Sequence, residues 1–241
     1  MRRSLPFAVS TAIVFAVLAG FVAHAQSPRM SLIEEGTNAS CGPCATHNPT
    51  FEKYLVKPHV ASRVIPLIYH SSWPGRDVMY SANTVMHTGR IVGYYAINGV
   101  PTITVNGKFP TRVTGGWDGT PSDTIAINNS LATATGMSPL TITVSEVQTG
   151  ADVAVTVDVH SSEAMPNKKL HIAVVEGHHY YANAGTNGEK DFYYIARKML
   201  PDHLGTSLTL GIGETKTFNQ SFTVDTSGSS IRSMVFSGRK G

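Results

Sequence analysis

The sequence predicts an α/β domain followed by an all-β sandwich. Three observations carry that prediction. Strand and helix signals alternate from Met30 to about Thr135, and short strands with period-two apolar patterning dominate after Pro139. Between them, Gly136-Met137-Ser138-Pro139 reads as a linker. About 215 residues remain after a leader is set aside, a length that suits two domains, placed at 26–135 and 139–241.

Residues 1–25 begin Met1-Arg2-Arg3, run through the mostly apolar Leu5 to Val22 and end Ala23-His24-Ala25. A basic start, an apolar centre and an A-x-A site make a secretory signal peptide cleaved after Ala25, with an uncleaved anchor as the alternative. No cysteine lies near that site to carry a lipid. Export to the periplasm, the outer-membrane surface or the extracellular space is expected, with no transmembrane span after cleavage.

A strand is expected at Met30–Gly36 and a helix from about Gly42 to Val56, broken by Pro58. Arg63 to His70 carries Val64, Ile65, Leu67 and Ile68, a nearly continuous apolar run that suits a strand buried on both faces. After the loop Ser71–Arg76, a helix lies within Ser81–Ile97, ended by Asn98-Gly99 as residues tolerant of positive φ. Val100–Val105 reads as a strand turning at Asn106-Gly107, a strong hairpin signal. A Gly-rich loop, Thr114–Gly119, precedes a short helix at Pro121–Ala134 with Ile125 and Leu131 inward.

In the second part, Leu140/Ile142/Val144, Val153/Val155/Val157/Val159 and Leu170/Ile172/Val174 alternate with polar residues. Further strands are expected at Thr215–Val224 and Ile231–Phe236. Such short alternating strands suggest an antiparallel sandwich of immunoglobulin-like type. An irregular insertion at His178–Leu204 interrupts it, with Phe192–Leu200 read as a short helix ended by Pro201.

The formal charge is +3, and loss of Arg2 and Arg3 with the leader leaves about +1. That excludes the basic stripe a nucleic-acid partner or anionic lipid needs. Both cysteines of the chain lie in Cys41-Gly42-Pro43-Cys44. Ala45 follows where covalent haem requires histidine, and zinc would need two further ligands at matching spacing, so neither metal nor cofactor is expected. The adjacent His178 and His179 would point to opposite faces of a strand and share no ion. A disulfide this short closes almost no loop, so it gains little as a staple, and a reactive pair is the better reading. At a helix N-terminus the unpaired N–H groups and dipole favour the thiolate of Cys41, expected with its side chain toward solvent. Cys44, one turn later, is the buried resolving partner. Gly42 permits close approach of another chain, and Pro43 restricts the turn.

The CGPC motif between strand and helix, the strand-helix-strand order and Val100-Pro101-Thr102 together resemble the thioredoxin superfamily over about residues 30–135. The resemblance implies that Pro101 is cis and faces the cysteine pair, and that Val100 offers its backbone to a substrate peptide. It also implies a buried acid six residues ahead of the first cysteine, where Glu35 stands, to take the Cys44 proton with a raised pKa. Neighbours on a strand point opposite ways, so Glu34 or Glu35 faces solvent instead. Ser40 departs from the family, which usually carries tryptophan there. Trp73 and Pro74 would help form a substrate rim, and Trp117 would pack between the domains.

The two-part organisation, Leu32 to Thr37, Asn187-Gly188-Glu189 and Arg197 to Pro201 are similar to the family named for a 28-kilodalton outer membrane protein. No membrane barrel is implied, since the strands are few and lack aromatic girdles. The resemblance implies an exported thiol–disulfide oxidoreductase acting on cysteine-containing proteins. Cys41, Cys44 and Glu35 would be catalytic, with Cys41–Cys44 as its disulfide. Val100, Pro101, Gly42 and Pro43 would bind substrate, and the sandwich would recruit an envelope or surface partner. The alternative is a non-catalytic cell-envelope binding or adhesion module in which the disulfide is permanent.

Overall fold

A computed structural model describes residues 26–109, 121–133, 135–224 and 231–238. Residues 1–25, where a leader is expected, and the whole Gly-rich loop 114–119 with Trp117 lie outside the described residues. The chain is mostly β with few helices. Its strands are β1 (Ser27–Pro28), β2 (Ser31–Thr37), β3 (Val64–His70), β4 (Thr102–Val105), β5 (Met137–Ser138), β6 (Leu140–Thr149), β7 (Asp152–Ser161), β8 (Met165–Tyr180), β9 (Asp191–Leu200), β10 (Thr206–Leu210), β11 (Thr215–Thr223) and β12 (Ile231–Gly238). The helices are α1 (Gly42–Leu55), α2 (Pro58–Ala61), α3 (Val78–Ala82), α4 (Thr84–Thr88) and α5 (Pro121–Thr133), with a π-helical segment at Gly89–Tyr94. Among the described residues no helix is long and apolar enough to cross a membrane.

One sheet runs through both halves of the chain. β2 lies between parallel β3 and antiparallel β4, and β3 pairs in parallel with β9 through Ile68 and Ile195. β9 then pairs antiparallel with β8. β8 takes β12 on its other edge, because Ile172 to Glu176 pair with both. β10 continues the line of β9 along β8, since Leu200 opposes Ile172 and Thr206 opposes Leu170.

α1 and α5 cover one face of the first-half strands, where Ile33, Ile68 and Ile103 meet Phe51, Leu55, Ile127 and Leu131. The opposite face packs Leu67 and Tyr69 against Met86, Ile91, Ala173 and Met199. Covered on both sides, β3 has no solvent face, which its continuous apolar run requires. A second sheet, β6-β7-β11, buries Val153, Val155, Val157 and Val159 against Leu170, Ile172, Leu200 and Leu208.

Several local expectations change. The single helix expected within Ser81–Ile97 is broken into α3, α4 and the π segment. Asn83 leaves helical geometry between the first two and caps α4 through the Met86 N–H. The left-handed residue after this stretch is Ala96, at φ 53°, rather than Asn98 or Gly99. On α5, Ile125 is exposed, and Ile127 joins Leu131 in facing the core. The segment 192–200 is a strand, β9, and with β8 it removes the irregular insertion. The Asn106-Gly107 turn has positive φ at both residues, and Val105 and Lys108 exchange hydrogen bonds across it, as a type I′ hairpin demands.

Candidate redox site

The site starts from the junction of β2 and α1. Cys41 is the N-cap of α1, with extended backbone, and its sulfur accepts the Cys44 N–H at 3.1 Å. Pro43 sits in the first turn, where a missing N–H costs nothing. Cys41 and Cys44 form a disulfide. The Val100–Pro101 peptide is cis, and the Val100 carbonyl oxygen lies 3.5 Å from Cys41 Sγ. Gly42 and Pro43 are exposed, and a Cβ added at Gly42 would meet nothing within 4 Å. Cys41 itself is not turned to solvent: it is only 2% exposed, because the 100–101 segment and the flanking loops close over it. Cys44 is fully buried.

Neither Glu34 nor Glu35 faces solvent, since both faces of β2 are covered. Glu34 shares the Leu32 face. There it accepts hydrogen bonds from Arg90 at 2.5 Å, from the Tyr69 hydroxyl at 3.0 Å and from the Tyr95 hydroxyl. Burial pushes its pKa up against the pull of Arg90. Glu35 shares the Ile33 face, under α1. Burial pushes its carboxyl well above the usual range, and the neighbouring carboxylates Glu52 and Glu189 push the same way. Glu52, on α1, is itself raised to about 8 by burial and by Glu189 and Asp191. Glu35, Glu52 and Glu189 thus make a buried group of mutually repelling carboxyls on the α1 side of the sheet.

Two loops fix the turn before Cys41. From the loop after β3, Asp77 accepts the Ala39 N–H at 2.7 Å and pairs with His70 Nδ1 at 2.7 Å. Burial works to raise the Asp77 pKa, but His70 and the N–H donors of Ala39 and Tyr80 hold it below the usual range. Asn38 donates to the carbonyls of Ser71 and Gly75 and accepts the Ser40 N–H, so its buried side chain is fully committed.

The second loop, residues 181–190 between β8 and β9, comes from the other half of the chain. Asn187 Nδ2 donates to the Cys41 carbonyl at 3.0 Å and to the Asn38 carbonyl at 3.4 Å. The Asn187 N–H donates to the Ala39 carbonyl at 3.1 Å. Glu189 accepts from Asn48 of α1 at 2.9 Å, while Asn48 also donates to Thr37 at 3.0 Å. Ser40 is wedged where the loops converge, donating to the Arg76 carbonyl and accepting the Thr186 N–H. A Cβ on Gly75 would lie 2.8 Å from that of Ser40, so the loop after β3 passes tightly against this residue.

The structure thus gathers Cys41, Cys44, Gly42, Pro43, Val100 and Pro101 at one end of the sheet, with Glu35 on the face beneath α1. Trp73, which precedes a second cis-proline, packs partly buried against the core on the far face. Sequence reasoning gives no site role to Asp77 or Glu52 and quotes Asn187 and Glu189 only within the Asn187-Gly188-Glu189 motif. An aspartate immediately before Val78 is a helix-cap signal that could have drawn attention to Asp77. Asn187 and Glu189 stand in a turn motif whose contact with Cys41, 146 residues away, no spacing rule reports.

No family model matches the chain, and no curated protein matches it significantly. Among solved structures, the chain is similar to HBP35 of Porphyromonas gingivalis, with a TM-score of 0.66 and 14% identity over 87% of this chain and 69% of that one. Protein AGR_C_4864 from Agrobacterium tumefaciens aligns over 88% of this chain and 95% of its own, at 16% identity and a TM-score of 0.46. The first likeness is one of fold alone: a mixed architecture of helices and strands shared along most of the chain.

Proposed function

We propose that this chain is an exported thiol–disulfide oxidoreductase that exchanges disulfides with cysteine-containing proteins. In this reading a thioredoxin-like unit at 26–135 precedes an immunoglobulin-like sandwich at 139–241 that serves an envelope or surface partner, as in the family named for a 28-kilodalton outer membrane protein. The order β3-β2-β4 with α1 crossing between β2 and β3 supports the first unit. The observation that carries the reading is the Cys41–Cys44 disulfide at the N-cap of α1, with the Val100 carbonyl 3.5 Å from Cys41 Sγ.

In its dithiol form, Cys41 thiolate attacks a substrate disulfide, forms a mixed disulfide and releases one substrate thiolate. Cys44 then loses its proton toward Glu35, and its thiolate attacks Cys41 Sγ. That step re-forms the intramolecular disulfide and releases the second substrate thiolate. The Cys44 proton, released again by Glu35, and the proton that Cys41 gave up to solvent on forming its thiolate end on the two substrate thiolates. A visiting peptide would reach Cys41 beside Gly42, Pro43 and Val100.

The 2% exposure of Cys41 favours a second reading, in which the disulfide is a fixed part of an envelope binding module. Dithiothreitol-driven insulin reduction by the purified protein separates the two. Acceleration by the wild type and none by Cys41→Ser is expected; indistinguishable traces end the enzymatic proposal.

A further inference from the structure

We infer that Asn187, supplied by the second half of the chain, is a positioning residue of the redox site that sets the stability of the Cys41–Cys44 disulfide. The inference deepens the exchange reading above and rests on it. Its ground is a set of directed contacts. Asn187 holds the CxxC turn by three hydrogen bonds: Nδ2 to the Cys41 carbonyl, Nδ2 to the Asn38 carbonyl, and its backbone N–H to the Ala39 carbonyl. Its Oδ1 accepts the Glu189 N–H at 2.9 Å, a local turn that aims the Glu189 carboxylate at Asn48 of α1. One short turn therefore grips both the backbone entering α1 and the second turn of that helix.

The rest of the loop is built to stay seated. Tyr181 N–H bonds the Lys190 carbonyl at 2.7 Å and closes its base. Val78 N–H bonds the Ala184 carbonyl at 3.1 Å, and Arg76 donates to the Asn183 carbonyl at 3.1 Å. Gly185 lies so close to the turn that an added Cβ would sit 2.2 Å from the Ala39 carbonyl oxygen. In the disulfide state the Asn187 contacts are all made. Contacts that favour the disulfide over the dithiol lower the reduction potential, and their loss raises it.

The test is the equilibrium of full-length protein with reduced and oxidised glutathione, read by thiol trapping. Asn187→Ala is expected to move the disulfide–dithiol equilibrium at least threefold toward the dithiol, about 14 mV for this two-electron couple. Val155→Ala, which loosens the distant β6-β7-β11 packing, is the comparator: it lowers Tm and leaves the equilibrium where it was. Should Asn187→Ala fail to fold, Asn187→Ser carries the same measurement. It keeps a short acceptor for the Glu189 N–H and cannot reach the Cys41 carbonyl. An equilibrium within 1.5-fold of wild type in a folded variant overturns the inference, as does an equal shift in Val155→Ala. The readout needs no turnover. A protein inert toward insulin whose equilibrium still moves with Asn187 loses the exchange reading and keeps the positioning role. An active protein with an unmoved equilibrium loses only the latter.

Discussion

Cys41 carries three duties in one residue: it caps α1, forms the disulfide, and offers its carbonyl to Asn187. Glu52, about three turns further along α1, shows how charge is managed around it. With its pKa raised from 4.5 to about 8, Glu52 keeps in the native state a proton that the unfolded chain has already lost. Its contribution therefore weakens as pH rises from about 4.5 to 8. Glu52→Gln removes that slope: its Tm is expected to match wild type near pH 4.5 and to exceed it by about 2–4 °C at pH 8, the equivalent of roughly 1 kcal/mol in a chain this size. Thermal melts across that range decide it, and parallel curves would show that Glu52 ionises normally. His87 works in the opposite direction. Burial, with His70 beside it, lowers its pKa to about 3, so its contribution is complete above about pH 6.5 and fades as pH falls toward 3.

At the scale of elements, the loop between β8 and β9 has the tightest tolerance. Gly185→Ala would drive a Cβ into the Ala39 carbonyl, and backbone cannot step aside as a side chain can. A loss of about 1–3 kcal/mol in urea unfolding is expected, typical of overpacking. A neutral result would mean the loop shifts freely. The same region shows which elements the sequence made legible. α1 and β3 were readable because local signals agreed: a proline-bearing start for one, an unbroken apolar run for the other. β9 was not. Phe192, Ile195, Ala196 and Met199 fall at helical spacing, and all four are buried. They are buried because layers cover both faces of the strand, while an extra residue at Arg197 shifts its register against β8. Pairing with β8 overrides a period that looked helical. The cysteine pair and Val100-Pro101 are visible as motifs, and so is Asn187-Gly188-Glu189, but the docking of that turn on the cysteines is a long-range contact that no local pattern reports.

For the molecule as a whole, the decisive feature is the sheet that crosses from β4 through β3 and β9 to β8. Sheet continuity and shared cores couple the halves more tightly than a linker would. Unfolding in urea is expected to be a single transition, with far-UV circular dichroism and tryptophan fluorescence superimposing. Two separated midpoints would show that the halves melt independently. The Arg90–Glu34 pair belongs to the same joint: it lies buried with Tyr94 and Tyr95 on the face that also receives Ala173 and Val175 of β8.

That joint bears on inheritance. A gene cut at Gly136–Pro139 would leave β3 with an open edge and apolar side chains stripped of cover, and its cysteine turn would lack Asn187. A fresh sandwich grafted at the same seam would have to bring its own loop to the same three carbonyls. Shuffling of the two pieces is thereby penalised, and the descendants of such a chain are bound to pass them on together.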